Sequence, residues 1–119
     1  MKLTLVLGAS INPSRYSNMA ILRLREHQHP VMALGLRAGK VADVIIETEK
    51  EIIAGIDTVT LYLNPERQKE YYDYIISLKP NRVIFNPGTE NIYFEKMLSE
   101  AGITAVEACT LVLLSIGQY

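Results

Sequence analysis

Short apolar runs and helical stripes alternate along the whole chain. Leu3-Thr4-Leu5-Val6-Leu7 reads as a buried strand, broken by Gly8 and the small polar residues after it. Ser17 is expected to cap a helix with the inner stripe Met19, Ala20, Ile21 and Leu24, ending near His27 to His29 before Pro30. Val31 to Leu34 forms a second strand stopped by Gly35, and Val41 to Ile46 a third, shorter one. Thr48 and Glu51 have capping-box spacing, which predicts a short helix to about Gly55. Asp57 to Leu63, rich in β-branched and aromatic residues, is the next strand. Asn64-Pro65 then supplies a cap and a first helical residue, because proline lacks only an N–H that the first turn leaves unpaired. That helix carries Tyr71, Tyr74, Ile75 and Leu78 on one face and stops at Pro80. Arg82 to Phe85 is a strand and Asn86 to Asn91 a turn, followed by a helix with the stripe Phe94, Met97, Leu98 and Ala101 that Gly102 ends. Ile103 to Val106 closes the series of strands, Ala108 to Leu114 is a short apolar helix, and Gly117-Gln118-Tyr119 reads as a tail.

Near-continuous apolar strands alternating with helices are the pattern of an α/β protein, with helices on both faces of a doubly wound, mostly parallel sheet of five to six strands. Right-handed crossovers leave a crevice at the carboxyl ends of the strands, so the Gly8 loop, the Gly35–Lys40 turn, Asn64-Pro65 and Asn86-Pro87-Gly88 should ring one site. At 119 residues the chain fits a single domain, 1–119. No apolar run approaches the roughly 20 residues needed to cross a bilayer, and no signal-peptide pattern is present, so a cytoplasmic location is expected. Cys109 is the one cysteine, which excludes a disulfide framework within the chain and a CxxC metal site; His27 and His29 make no zinc set. The net charge of −1 hides an asymmetry: residues 1–40 carry six basic side chains against the single acid Glu26. A local excess at the first two turns suits a small polyanion better than nucleic acid, which calls for a broader basic surface.

The first turn has the chemistry to hold phosphate. The first N–H groups of a helix lack intrahelical partners and lie at the positive end of its dipole, while Gly8 and Ala9 keep side chains out of an anion's way. Ser10, Ser14 and Ser17 offer hydroxyls, and Arg15 offers a bidentate cation. By this reading Gly8→Val would block a diphosphate and leave the protein folded. A dinucleotide fingerprint would place three glycines here and an acid after the second strand. This chain has one glycine, and where the acid would stand it has Gly35, Leu36, Arg37 and, further on, Lys40. Those cations suit a phosphorylated ribose, as in NADP or in coenzyme A.

The combination Gly8-Ala9-Ser10, Asn12-Pro13-Ser14-Arg15-Tyr16-Ser17, Arg37-Ala38-Gly39, Leu63-Asn64-Pro65 and Asn86-Pro87-Gly88-Thr89 resembles the small stand-alone CoA-binding domain proteins. These are related to the CoA-binding domain of the succinyl-CoA synthetase α subunit. The resemblance spans essentially the whole chain and implies a Rossmann-like fold with coenzyme A or an acyl-CoA as ligand. It implies that Gly8, Ala9, Ser10, Ser14, Arg15 and Ser17 hold the CoA phosphates, and that Arg37 and Lys40 meet the nucleotide phosphate. It also implies that Leu63, Asn64, Pro65, Pro87 and Gly88 flank the adenine and pantetheine. One position departs from the family, which commonly has Asn-Pro after the second strand where this chain has Gly35-Leu36.

The synthetase's phosphorylated histidine lies outside its CoA-binding domain, so no catalytic role carries over. Within the chain no nucleophile stands with a base and an orienting group, and no catalytic residue is assigned. Cys109 is either a thiolate at a helix start or a small buried apolar residue. Tyr71, Tyr72 and Tyr74 span different faces of their helix and leave open a protein partner or a homo-oligomer. The reading is thus a CoA-binding module; its alternatives are an NADP-dependent enzyme and an interaction protein with a decayed nucleotide site.

Overall fold

Strands and helices alternate from end to end of the computed structural model, which describes residues 1–119. The first half contains β1 (Thr4–Ala9), α1 (Tyr16–Glu26), β2 (Val31–Gly35), β3 (Gly39–Val41) and β4 (Val44–Glu47). The second contains β5 (Thr58–Leu61), α2 (Pro65–Gln68), a 3-10 turn (Lys69–Tyr71), α3 (Tyr72–Leu78), β6 (Arg82–Phe85), α4 (Ile92–Glu100), β7 (Thr104–Glu107) and α5 (Thr110–Ser115). The strands make one seven-stranded sheet in the order β3-β4-β2-β1-β5-β6-β7, parallel except for the β3–β4 hairpin. The chain winds outward from β1 in both directions, so the order reverses beside β1 and opens a crevice at the carboxyl ends there.

The period of two along a strand divides the core between the two faces. Leu5 and Leu7 point to the face covered by α3 and α4, where they join Val59, Leu61, Val83 and Phe85 against Ile75, Leu78, Phe94 and Leu98. Val6 points the other way and packs with Ile21 and Leu24 of α1 and Leu114 of α5. Both clusters are almost dry, and Leu7, Ile21, Ile75 and Leu98 have no exposed surface.

Four local expectations are corrected. The sheet has seven strands because Val41 to Ile46 is not one strand: Ala42, at φ +52°, and Asp43 turn the chain between β3 and β4, and Arg25 holds Asp43 at 2.9 Å. Thr48 to Gly55 forms no helix. Three strand spacings, about 14 Å, separate β4 from β5, and the chain must also return to the amino end of the sheet, whereas eight helical residues would span only about 12 Å. The segment is instead stretched over α3, held where Lys50 donates to the Glu70 carbonyl (2.7 Å) and Tyr74 donates to the Glu51 carbonyl (2.5 Å), with Ile56 buried beneath. Ser17 does not cap α1: Arg15 occupies the cap position without a side-chain bond, and Ser17 lies buried in the first turn. The tail is docked, since the Tyr119 hydroxyl pairs with Thr4 Oγ1 at 2.6 Å and its ring packs under the Arg82 guanidinium at 4.5 Å.

Candidate functional site

The crevice owes its shape to two glycines. Gly8 lies at φ +96° in a bulge that shifts the β1–β2 register between Leu7 and Ala9. A Cβ on it would fall 3.0 Å from the Tyr62 carbonyl carbon and 3.1 Å from its oxygen, so the ends of β1 and β5 meet over a bare α-carbon. On the other side, a Cβ on Gly35 would sit 2.4 Å from the Ala9 carbonyl oxygen. This close approach accounts physically for a glycine at the position where the chain departs from its resemblance. Because the missing Gly8 side chain would press on the backbone of Tyr62, Gly8→Val is no clean probe of a ligand. Gly8→Ala alone should cost about 1–3 kcal/mol of stability, read from the denaturant midpoint without ligand; an unchanged midpoint would show that the bulge relaxes freely.

Beyond the bulge, the loop from Ser10 to Arg15 braces itself. Asn12 Oδ1 accepts from the Ser14 amide (3.0 Å) and hydroxyl (2.8 Å), the Asn12 amide donates to Ser10 Oγ (3.1 Å), and Asn18 Nδ2 donates to the Ser10 carbonyl (3.0 Å). The loop delivers α1 with its amino end toward the crevice. No acid stands in the first turn, and the Tyr16 and Ser17 amides have no backbone partner. Free amides at the positive end of an 11-residue helix attract an anion.

Opposite, the ends of β5 and β6 are tied together by buried amides. Asn64 caps α2, its Oδ1 accepting from the Arg67 amide at 2.9 Å. Gln68, fully buried, donates through Nε2 to the Leu63 and Thr89 carbonyls, both at 2.8 Å, and accepts from Asn91 Nδ2 at 2.9 Å. Asn86 bridges Thr60 Oγ1 (2.6 Å) and the Leu61 carbonyl (2.9 Å) and accepts from the Thr110 amide (2.9 Å). No buried side-chain polar atom lacks a partner.

Between these walls lies a cavity of about 750 Å³. Of the residues singled out from the sequence, Gly8, Ala9, Ser10, Arg15 and Ser17 line it from the β1–α1 side, and Arg37 from the end of β2. Leu63 and Asn64 line it after β5, and Pro87 and Gly88 after β6. Three others stand off the wall. Ser14 is engaged with Asn12, Lys40 is on β3 opposite Ile45, and Pro65 is the exposed first residue of α2. Sequence reasoning missed Ile11, Tyr16, Leu36, Tyr62, Arg67, Glu70 and Tyr71, which also line the cavity. Arg67 had a signal, its place in the first turn of a helix that Asn64-Pro65 opens toward the crevice.

The cavity is electropositive. Arg15, Arg37 and Arg67 face it against the single carboxylate of Glu70, and none of the three arginines is in an ion pair. Burial pushes the Tyr62 phenol up to about 12.

The sequence matches the model of the CoA binding domain family over residues 2–115. The chain belongs to that family. No curated protein matches it. Among solved structures, an uncharacterized protein is 51% identical, with a TM-score of 0.98 over 100% of this chain and 98% of that one. A hypothetical protein from Pyrococcus horikoshii OT3 is 28% identical, with a TM-score of 0.82 over 93% of this chain and 79% of its own. The dinucleotide forming acetyl-coenzyme A synthetase 1 of Ca. Korarchaeum cryptofilum, solved with phosphate and ADP, shares the fold. It is 13% identical, with a TM-score of 0.72 over 89% of this chain and 25% of that one. As a CoA-binding domain protein the chain has the Rossmann-like α/β architecture expected from its alternating pattern, and no helix long and apolar enough to cross a membrane.

Proposed function

We propose that the chain binds coenzyme A, or an acyl-CoA, across the carboxyl ends of β2, β1, β5 and β6. The observation that carries this reading is the convergence of three arginines without internal partners and the open end of α1 on one cavity, in a member of the CoA binding domain family. The diphosphate lies on the β1–α1 loop, over the Tyr16 and Ser17 amides and between Arg15 and Arg67. Arg37 takes the 3′-phosphate, with the exposed apolar side chains Ile11 and Leu36 beside it as a surface for the adenine. The pantetheine arm runs along Leu63 and Asn64 toward Pro87 and Gly88. Arginines, free amides and hydroxyls supply the part of the wall suited to holding an anion, beside apolar side chains such as Ile11, Leu36 and Leu63, and no chemistry of its own is assigned to the chain.

A thermal-shift panel tests it, because a ligand that binds only the folded state stabilises it, by about 2.7 kcal/mol at a hundredfold excess over Kd. Coenzyme A and acetyl-CoA should raise the melting temperature most, dephospho-CoA less, and NADP and NAD least. A response to NADP exceeding that to CoA would overturn the assignment in favour of a dinucleotide site.

A further inference from the structure

The two edges of the sheet are unlike. β3 is three residues long with Lys40 at its centre, a short charged edge that resists pairing with another chain. β7 is in register with β6 over all four residues, Thr104 to Glu107; its one charged residue, Glu107, stands at the carboxyl end, and no proline, lysine or bulge interrupts its free side. Along that free side runs a groove of about 680 Å³, walled by Thr104 and Ala105 and by the outer face of α4. That face presents Ile92, Glu95, Lys96 and Ser99 at helical spacing. Ile92 is 82% exposed.

We propose that β7 pairs antiparallel with β7 of a second copy of this chain, giving a symmetric dimer with one sheet continuous through both. The occupant follows from charge. Glu95 and Lys96 sit at the middle of the groove-facing side of α4, so a two-fold axis normal to the sheet places both α4 helices on one face and sets Glu95 of each copy against Lys96 of the other. Within one copy Lys96 has no acidic partner. Glu95 has acidic company instead: burial, and then the neighbouring Glu107 and Glu90 carboxylates, hold it above the usual carboxylate range. Lys96 of the second copy relieves that crowding, while Ile92 leaves water along the same line.

Sedimentation equilibrium at about 100 µM protein should find a dimer, since association follows mass action. Lys96→Glu, which removes no contact within the fold, should weaken self-association at least about tenfold by setting carboxylates against each other. Its unchanged circular dichroism melt at low concentration, where both proteins are monomers, certifies the fold. A monomer at 100 µM would overturn the proposal, whether the edge is then free or reserved for another protein's strand, and so would a Lys96→Glu protein that dimerises as tightly as the original. Neither residue lines the CoA cavity, so these outcomes are independent of the ligand.

Discussion

Arg37→Ala should weaken coenzyme A by about 1.5–3 kcal/mol, the range for one charge-assisted contact, or roughly 10- to 150-fold in Kd. It should leave 3′-dephospho-CoA almost unaffected. The guanidinium is exposed on the turn after β2, lines the cavity and has no partner within the protein, so its removal opens no hole and strands no buried group. Stability without ligand should therefore stay within about 0.5 kcal/mol. The control is Arg67→Gln, which should reduce binding of CoA and dephospho-CoA alike, because both ligands carry the diphosphate. Isothermal titration of the two ligands against the two variants separates the roles. Equal losses for both ligands in Arg37→Ala would remove Arg37 from the 3′-phosphate and shift it to the diphosphate.

The second large effect is on stability. Gln68→Leu keeps the side chain's approximate volume but leaves the Leu63 and Thr89 carbonyls without their donor and takes one acceptor from Asn91 Nδ2. A buried polar group left unpaired costs about 1–3 kcal/mol, and Gln68 serves more than one, so a loss of about 2–4 kcal/mol is expected in denaturant unfolding. The same change unties the turn after β5 from the turn after β6, so CoA affinity should fall although Gln68 does not line the cavity. A variant that unfolds at the original midpoint would mean that water reaches those carbonyls, and the bracing assigned to Gln68 would be lost with it.

These two residues mark different limits of a sequence reading. Arg37 stood out because a cation occupied the place where a dinucleotide site puts an acid, a local substitution at a known offset from a strand end. Gln68 looked like an ordinary polar residue of a helix, and only the meeting of its own turn with Thr89, 21 positions further on, makes it the brace between them. Ser14 shows the reverse. A hydroxyl in a loop expected to hold phosphate looked like a ligand, yet it donates to Asn12 Oδ1, and that pairing depends on the shape of the loop.

What the sequence determined by itself was the order and kind of most elements, a glycine at the end of the first strand ahead of α1, the Asn64-Pro65 start of α2 and the cations after β1 and β2; that Gly8 is a bulge within β1 came from the structure. These rest on hydrophobic period, capping and backbone freedom, which act over a few neighbouring residues and can be read wherever they occur. Tertiary structure alone decided that Thr48 to Gly55 is stretched rather than helical, that Arg67 joins Arg15 and Arg37 on one cavity, and that Lys40 stands apart on an edge strand. The first two outcomes depend on the distance between strands far apart in the chain, which the order of strands in the sheet establishes and no local pattern encodes; the third depends on the turn at Ala42 and Asp43, which puts β3 outside β4 at the sheet edge.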